Sequence, residues 1–490
     1  MPLITLPSEI LDQVVRESIP ESFENLTRSC RALYECGRRY AQQHQARKER
    51  YHRMGIGGCS DASWLAEFAE EPRIPHYTST LDLRWPDGRG PENGQRPERD
   101  NEYKRRRVEA LIRQSPYLSV EGVDPDFWVD MIMSDLGDHD NYSAHNMFLG
   151  IFYLTFFPNV VDLTLPWSAP GSIPYHDRNR ATIQYELVLN AIARESRSEH
   201  NRRALGKVKR LRYLLRADYD IRQRLQFLLP LLTLPELEEL HANSLTAVDF
   251  HEEFVWTYSD IYSNLRTIKF THCCMDSVGI SALLAHTPYL TSFEYKHMSK
   301  HHGMEAYWDA GQFVAAIEKQ VGSQLQHLVV TVGINSINGI SAGVTSLRGF
   351  TKLETLGLDL LVFYGPSVES GEKAGILNTP PNPGFARWTT RSIPPLRNML
   401  PASVREFKLL AHSWKSMKLE AEAMIRLYGG LRSARSSCFQ NLDQCSVRFA
   451  SISREYIPRI HEMRKRLEAE GVQHSTVPVF PGSDGSEWEI

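Results

Sequence analysis

One short apolar pattern recurs along this chain of 490 residues and constrains its fold more than any other feature. The pattern is apolar-x-x-apolar-x-apolar, in which the last two apolar residues alternate as they do on the buried side of a β-strand. From Leu211 onward, four of the six steps between copies span 25–28 residues. The copies are Val160-Leu163-Leu165, Leu237-Leu240-Ala242, Leu265-Ile268-Phe270, Leu290-Phe293-Tyr295, Leu325-Leu328-Val330, Leu353-Leu356-Leu358 and Val404-Phe407-Leu409, with a partial copy at Leu211-Leu214.

Helical patterns lie between several copies, at residues 181–196, 279–290 and 306–321. A unit of one strand and one helix cannot bury its own apolar side, so neighbouring units must stack. Stacked strands would form a parallel sheet with the helices outside it. The predicted fold class is therefore α/β, and an ordinary fold of alternating strands and helices stays open beside a repeat array.

Over roughly residues 150–450 this pattern resembles the leucine-rich repeat proteins, whose signature is Leu-x-x-Leu-x-Leu followed by a helix. That family usually has Asn or Cys three positions after the third apolar residue, where the side chain bonds backbone groups at a turn. Cys273 stands at such a position here, whereas Ser168, Met298 and Gly333 stand at others. The resemblance implies an irregular leucine-rich-repeat solenoid, with parallel strands inside and helices outside.

The first forty residues have a helical pattern instead. In LPSEILDQVV at residues 6–15, apolar residues recur on one helical face, and Pro7 stands in the first turn, where a missing N–H costs little. Pro20 interrupts this pattern, and a second periodic stretch runs from Phe23 to Leu33. By itself, such a pattern could also be the helical start of a larger domain.

Residues 3 to about 42 resemble an F-box, a motif that opens with Leu-Pro-x-Glu-Leu/Ile-Leu, as residues 6–11 do here. Ile19-Pro20 and Ser29-Cys30-Arg31 match later parts of the motif. The resemblance implies a three-helix module that binds the Skp adaptor and, through it, a cullin. The residues expected to bind the adaptor are Leu6, Pro7, Ile10 and Leu11, followed by Val14, Ile19, Pro20, Phe23, Leu26 and Cys30.

These features divide the chain into four predicted regions. Residues 1–45 would form the F-box module, and residues 46–145 a helical linker region with a mobile loop at 84–102. Residues 146–455 would form the repeat array, with an insertion at 363–395, and residues 456–490 a C-terminal helix and tail. The loop and the insertion are rich in Pro, Gly and polar residues, a composition typical of surface loops.

Composition argues against several classes of protein. The net charge is −3, so the chain as a whole has no positive excess for nucleic acid or anionic membranes. No apolar run reaches the ~18–20 residues of a membrane span, and the longest, Met147 to Phe157, predicts a buried helix. No secretory signal is expected at the N-terminus. The seven scattered cysteines are therefore expected to be reduced thiols in cytosol or nucleus.

The catalytic signal is weak. Residues 339–343 match G-x-S-x-G, the nucleophile motif of α/β-hydrolases, which requires a strand before Ser341 and a helix after it. Asp359 and His412 could serve as acid and base only by elimination. No phosphate-binding or dinucleotide-binding glycine motif is present. We therefore predict that the chain is not an enzyme and has no cofactor.

Two clusters could suggest metal binding. The spacing of Asp135, Asp138, His139 and Asp140 fits neither a calcium loop nor a zinc site, and a solvated loop is the preferred interpretation. The adjacent residues 272–274, His-Cys-Cys, cannot easily converge on one ion. No metal is therefore predicted. Two basic segments, 38–53 and 104–107, are interpreted as a solvated helix face and an exposed helix start, ahead of phosphate binding and nuclear localisation.

Together these features lead us to expect a substrate-recognition subunit of a Skp-cullin-F-box ubiquitin ligase, resembling a large group of fungal F-box proteins. The F-box would bind the Skp adaptor, and the repeat array would bind a target protein whose identity the sequence does not reveal. Nucleic acid and membranes are not expected partners. The alternatives are a leucine-rich-repeat scaffold outside a ligase and a serine hydrolase that uses Ser341.

Overall fold

The chain has an α/β fold that divides into two compact units. Unit 1 comprises Met1–Leu214 and Pro230–Leu237, and unit 2 comprises Leu215–Leu229 and Glu238–Ile490. The computed structural model describes residues 6–55, 63–84, 102–137, 146–166, 175–198, 204–215, 217–249, 252–301, 303–333, 339–374, 385–386, 389–412, 417–435, 437–450 and 457–477. The predicted loop at 84–102 falls outside these residues except at its two ends, as do Asp138, His139, Asp140 and part of the insertion at 363–395.

Helices and strands alternate along most of the described chain. The α-helices are α1 (Ser8–Glu17), α2 (Phe23–Ser29), α3 (Arg31–Tyr51), α4 (Ser63–Glu70), α5 (Glu102–Arg113), α6 (Pro125–Gly137), α7 (Asn146–Leu154), α8 (Tyr175–Ser196), α9 (Leu229–Leu232), α10 (Ser277–Leu284), α11 (Ala310–Val321), α12 (Leu396–Met399), α13 (Met417–Tyr428), α14 (Leu431–Arg435) and α15 (Ile457–Ala469). The strands are β1 (Arg53–Gly55), β2 (Thr80–Asp82), β3 (Asp162–Thr164), β4 (Arg210–Tyr213), β5 (Gln223–Arg224), β6 (Glu239–Asn243), β7 (Leu245–Ala247), β8 (Thr267–Met275), β9 (Ser292–His297), β10 (Tyr307–Asp309), β11 (His327–Val332), β12 (Gly339–Ala342), β13 (Thr355–Asp359), β14 (Lys373–Ala374), β15 (Phe385–Ala386), β16 (Glu406–His412), β17 (Gln444–Ala450) and β18 (Gln473–Val477).

Unit 1 begins with three helices around a small apolar core. Helix α1 follows Pro7, and the chain turns at a cis Ile19–Pro20 peptide before α2. The core consists of Leu11, Val15, Phe23 and Leu33, each at most 6% exposed. Burial of these side chains holds α1 and α2 against α3, because each helix has its apolar residues on one face.

Helices α2 and α3 approach closely at Gly37. A Cβ atom at this position would lie 2.3 Å from Cγ2 of Thr27, closer than two carbon atoms can pack. The hydroxyl of Thr27 donates a 2.8 Å hydrogen bond to the carbonyl of Phe23, so the methyl group of Thr27 has little freedom to move away. Gly37 is therefore required by the distance between the two helices.

Unit 1 also contains a parallel sheet in the chain order β1-β2-β3-β4. Met54, Leu81, Leu163 and Leu211 are aligned across the four strands and are at most 3% exposed. Region 46–145, predicted as a helical linker, thus also contributes strands β1 and β2 to this sheet. The predicted boundary after residue 45 lies inside α3, which continues to Tyr51.

Unit 2 contains a large parallel sheet in the order β6-β8-β9-β11-β13-β16-β17-β18. Each strand pairs with the next main strand along the chain, and the order never reverses. The second apolar residues of the predicted copies are aligned and fully buried: Leu240, Ile268, Phe293, Leu328, Leu356 and Phe407. The predicted strands are therefore present, and their apolar residues form the core beneath the sheet.

The three helices predicted between copies are also present. Helix α8 covers residues 181–196 and begins earlier, at Tyr175. Helix α10 begins at Ser277, where the Asp276 carboxylate accepts a 2.7 Å hydrogen bond from the Gly279 N–H, and it ends at Leu284 rather than 290. Helix α11 begins at Ala310, because residues 307–309 form strand β10. Side-chain capping thus fixes helix starts that apolar periodicity locates only approximately.

The partial copy at Leu211-Leu214 has the wrong register. Leu211 pairs with Leu163, which is the second apolar residue of its own copy, so the true copy is Val208-Leu211-Tyr213. A further copy, Thr78-Leu81-Leu83, was missed because its first residue is polar. Thr78 is nevertheless fully buried, since its hydroxyl donates a 3.0 Å hydrogen bond to the carbonyl of Tyr51.

The end of β9 in unit 2 places a histidine in the core. The ring of His297 stacks on Trp308 at a centroid distance of 4.2 Å, and its Nδ1 lies 3.0 Å from the Tyr295 hydroxyl. The side chain is fully buried. Burial disfavours the charged imidazolium and lowers the pKa of His297 to about 3.

This burial makes unit 2 sensitive to acid. Below about pH 6.5, His297 becomes protonated in the unfolded chain but stays neutral in the folded chain. The free energy of unfolding therefore falls by up to ~1.4 kcal/mol per pH unit as the pH is lowered toward 3. Replacement His297→Phe keeps an aromatic ring beside Trp308 and removes this proton. We expect urea unfolding at pH 7 and pH 5 to show a smaller loss for His297→Phe than for wild type. Equal losses would show that His297 is not held neutral.

The Gly37 contact gives a second prediction. Alanine normally stabilises an α-helix by ~1 kcal/mol relative to glycine, whereas Gly37→Ala should destabilise unit 1 by ~1–3 kcal/mol because its Cβ meets Thr27. Thr27→Ser removes the opposing methyl group and keeps the hydroxyl. The double variant should therefore recover most of the loss in thermal unfolding. An increase in the melting temperature for Gly37→Ala alone would contradict the close contact between Gly37 and Thr27.

Candidate functional site

The candidate site is the outer surface of the three N-terminal helices. On α1, Pro7 and Ile10 are exposed and Val14 is half-buried, and the spacing i, i+3, i+7 places them on one face. Ile10 is 43% exposed, an unusual value for a large apolar side chain in a folded helix. Leu11 instead points into the small core and is 6% exposed. Of the residues expected to bind an adaptor, Pro7, Ile10 and Val14 therefore offer an apolar face, whereas Leu11 does not.

Most of the other residues predicted to bind the adaptor pack in or against the small core beneath α1. Phe23 is buried in the core, and Leu6, Ile19, Leu26 and Cys30 are partly buried and pack against it. Pro20 is half-buried at the turn between α1 and α2. Their apolar surface is largely used within the module, so their main role in this structure is to position α1.

Polar contacts tie α1 to α3. The Asp12 carboxylate forms an ion pair with Arg39 and accepts a 3.0 Å hydrogen bond from the Tyr40 hydroxyl. Asp12 lies on α1 beside Leu11, so the ionic and apolar contacts fix the same helix. Rigid placement of α1 matters for binding, because a preformed surface loses less conformational entropy when a partner docks.

Helix α3 has an exposed face that apolar periodicity does not reveal. Arg31, Tyr34 and Arg38 are all exposed and follow one another at i, i+3 and i+7. Tyr34 is 56% exposed although it is adjacent to the buried Leu33. Aromatic and arginine side chains are enriched in protein interfaces, and this composition is the signal that could have identified the face in the sequence.

A short 3-10 helix, Ile74–Tyr77, connects the three helices to the rest of unit 1. Arg73 donates hydrogen bonds of 2.7 Å to both the carbonyl of Arg16 and the carboxylate of Glu17. His76 lies 2.5 Å from the carboxylate of Glu21. These contacts hold the C-terminal end of α1 and the following turn against residues 73–76.

The pKa values of three groups near this junction, Glu21, Glu24 and His44, are shifted. The hydrogen bond from Lys48 lowers the pKa of Glu24 below its usual value. Partial burial is the largest single influence on Glu21 and would raise its pKa, but hydrogen bonds with His76, Asn159 and the backbone, together with the charge of His76, outweigh burial and lower the pKa. Burial lowers the pKa of His44, against the opposing influence of Glu24. Both carboxylates are therefore charged at neutral pH and strengthen the junction.

The basic segment 38–53 is largely occupied by ion pairs. Arg47 pairs with Glu71 at 2.8 Å and Arg50 with Glu67 at 3.3 Å, both of which lie on or beside α4. These pairs extend the contact between α3 and the following part of unit 1. Half-exposed pairs of this kind contribute little stability individually, so their main effect is on orientation.

The hydrolase motif lies in a different geometry from a nucleophile elbow. Ser341 is 4% exposed inside strand β12, which pairs with β10. No helix follows in the described residues between 343 and 353, so the required strand–turn–helix is missing there. Asp359 instead accepts a 2.9 Å hydrogen bond from the Leu361 N–H at the start of a 3-10 helix. The motif therefore has a structural explanation within a small parallel sheet.

The adjacent cysteines of β8 are also structural. The Leu245 N–H donates to Sγ of Cys273 at 3.3 Å, and the thiol of Cys273 lies 3.4 Å from the carbonyl of Thr271. Burial raises the pKa of Cys273 to about 12 and raises that of Cys274 as well, so both thiols stay protonated. Cys273 thus bonds backbone groups at the bend after His272, which has φ of 55°.

Neither a metal site nor a membrane-spanning helix is found among the described residues. They contain no group of three or more His, Cys, Asp or Glu side chains placed to hold a metal ion. Among the same residues, no helix is both long enough and apolar enough to cross a membrane.

No protein-family model matches this chain. A search of curated proteins likewise finds no significant match. The assignment of function therefore depends on the residues and contacts of the chain itself.

Proposed function

We propose that this chain is the substrate-recognition subunit of a Skp-cullin-F-box ubiquitin ligase. The observation that most supports the proposal is the apolar face of α1, formed by Pro7, Ile10 and Val14 on a helix that is otherwise packed in place. An amphipathic helix that keeps an apolar strip in water is typical of a docking element. The resemblance of residues 3–42 to an F-box supports the Skp adaptor as the proposed partner, with a cullin as the scaffold beyond it.

The sheet of unit 2 supports a leucine-rich repeat array as the substrate-binding part. In a doubly wound α/β fold the strand order reverses at a switch point. The main strands from β6 to β18 instead follow one another in chain order, as expected when each repeat stacks on the one before it. The backbone bonds of Cys273 resemble those of the Asn or Cys position in that family.

The continuity of α3 supports a ligase role, because a rigid helix and not a flexible tether joins the three-helix module to the sheet of unit 1. This helix carries Leu33 of the three-helix core near one end and Tyr51, which hydrogen-bonds through its carbonyl to Thr78 beside β2, at the other. The sheet of unit 1 has parallel strands in chain order like that of unit 2, and a target held on it would keep a fixed relation to a bound adaptor. Such a protein catalyses no covalent step itself and acts by raising the local concentration of its target at an enzyme.

The two alternatives have less support. A leucine-rich-repeat scaffold outside a ligase would share the same sheet but has no use for an exposed apolar strip on α1. A serine hydrolase would require Ser341 at a strand–helix turn, whereas this residue lies inside β12. Labelling of Ser341 by a fluorophosphonate probe would restore the hydrolase alternative.

Adaptor capture tests the proposal directly. Ile10→Asp places a charge on the exposed face of α1 and should reduce capture of a purified Skp adaptor at least tenfold, since the carboxylate would be desolvated in the interface. Ile183→Asp is a matched control, because Ile183 is 56% exposed on α8 of the same unit. The measurement is the dissociation constant for the adaptor, determined by biolayer interferometry with immobilised full-length chain.

The control variant should bind like wild type, and both variants should keep the wild-type far-ultraviolet circular dichroism. The proposal fails if wild type binds no adaptor at micromolar concentrations. It also fails if Ile10→Asp and Ile183→Asp bind the adaptor equally well.

A further inference from the structure

The solvent side of the unit 1 sheet carries an unusual set of charged residues. Residues adjacent in sequence to the aligned core residues Met54, Leu81, Leu163 and Leu211 point to the opposite face of the sheet. One row across the four strands is Arg53, Thr80, Asp162 and Arg210, and a second row is Gly55, Asp82, Thr164 and Arg212. Charged side chains from three of the four strands, β1, β3 and β4, thus lie in one row.

Positive charge is in excess on this face. Arg210 binds Asp162 in a two-pronged ion pair, and the charges of Arg53 and Arg212 also act on the Asp162 carboxylate. Arg84, just after β2, forms a similar two-pronged pair with Asp82. Four arginines therefore accompany two carboxylates, although the whole chain has a net charge of −3.

Two of these arginines have unused binding capacity. Within the described part of the chain, neither Arg53 nor Arg212 has a carboxylate within ion-pair distance. Arg53 is exposed and Arg212 half-buried. A guanidinium group presents several N–H donors in a plane that matches carboxylate or phosphate oxygens. An anionic ligand could therefore bind them while the Arg210–Asp162 pair stays intact.

We propose that strands β1–β4 form a binding surface for an extended peptide segment with two closely spaced carboxylate side chains, the partner that Arg84 and Arg210 already bind on this face. The inference rests on the proposed function in that such a peptide would belong to the ligase target. Arg53 on β1 and Arg212 on β4 are three strand spacings of ~4.8 Å apart across the sheet and two residues apart along the strands, about 16 Å in all. An extended peptide covers about 14 Å in four residues, and the long arginine side chains can reach over the remaining distance. The preferred ligand thus has two acidic side chains at positions i and i+4.

Fluorescence anisotropy with defined peptides tests this surface. The probe is a fluorescein-labelled peptide, Gly-Ser-Thr-Glu-Thr-Val-Ser-Glu-Thr-Ser-Gly, with two glutamates four positions apart. Matched probes have glutamine at both glutamate positions, or phosphoserine at both, which would reveal a surface specific for phosphate instead of carboxylate. The protein is the full chain, in 50 mM and 300 mM salt.

We expect the glutamate probe to bind at least tenfold more tightly than the glutamine probe, with affinity falling at high salt. The double variant Arg53→Glu with Arg212→Glu should lose at least tenfold in affinity. Arg105→Glu with Arg106→Glu is the matched control, because it makes the same change in net charge at exposed positions of α5. This control should keep at least half of the wild-type affinity.

Several results would overturn the inference. One is that the glutamate probe binds no better than the glutamine probe, whether or not the phosphoserine probe binds. Another is that both double variants lose equal affinity, since binding would then follow net charge alone. A third is that a labelled single-stranded DNA oligonucleotide of equal charge binds as tightly and with the same arginine dependence, because the surface would then be a nucleic-acid site.

The test is separable from the test of the proposed function. Ile10→Asp should leave peptide binding unchanged, and the Arg53 and Arg212 variant should leave adaptor capture unchanged. Peptide binding without adaptor capture would remove the ligase proposal and keep the peptide surface. Adaptor capture without peptide binding would keep the ligase proposal and remove the peptide surface.

Discussion

The alignment of buried apolar residues between adjacent parallel strands is the constraint on which the rest of this structure depends. In unit 2, Ile268, Phe293 and Leu328 lie side by side on β8, β9 and β11, and each is fully buried only because its neighbours are present. A slip of one residue would turn each of these side chains toward solvent. The register of one strand therefore fixes that of the next, and both sheet faces follow from it.

This constraint also determines where polar residues can act. The face opposite the apolar row is left to residues such as Asp162 and Arg210 in unit 1, or Lys269 and Glu294 in unit 2, which pair at 2.9 Å across adjacent strands. Glu294 also lies 3.7 Å from His327, and these partners lower its pKa to about 2 despite partial burial. The exposed face is thus organised by cross-strand pairs, and a residue without such a partner has capacity for an external ligand.

Much of the sheet could be predicted from the sequence, and the reasons for the failures are local. Copies with three apolar residues, such as Leu325-Leu328-Val330, were located correctly because burial selects apolar side chains at those positions. Thr78-Leu81-Leu83 was not found, since a hydrogen bond to a backbone carbonyl makes a buried threonine acceptable. At the N-terminus, periodicity located the helices but could not tell the exposed Ile10 from the buried Leu11, because adjacent positions differ in exposure only once the packing partner is known. Tyr34 was missed for the same reason.

Helix α3 runs from Arg31 to Tyr51 and is followed at once by strand β1, which begins at Arg53. Each residue of an α-helix turns the chain by about 100° and advances it by about 1.5 Å. Lengthening α3 by a single residue between these anchors would swing α1 and its apolar face to another side of the molecule, with hardly any change in distance. The length of α3 therefore determines the direction in which the apolar face of α1 points. Substitutions on the solvent side of α3 would leave this direction unchanged, whereas any insertion or deletion would alter it.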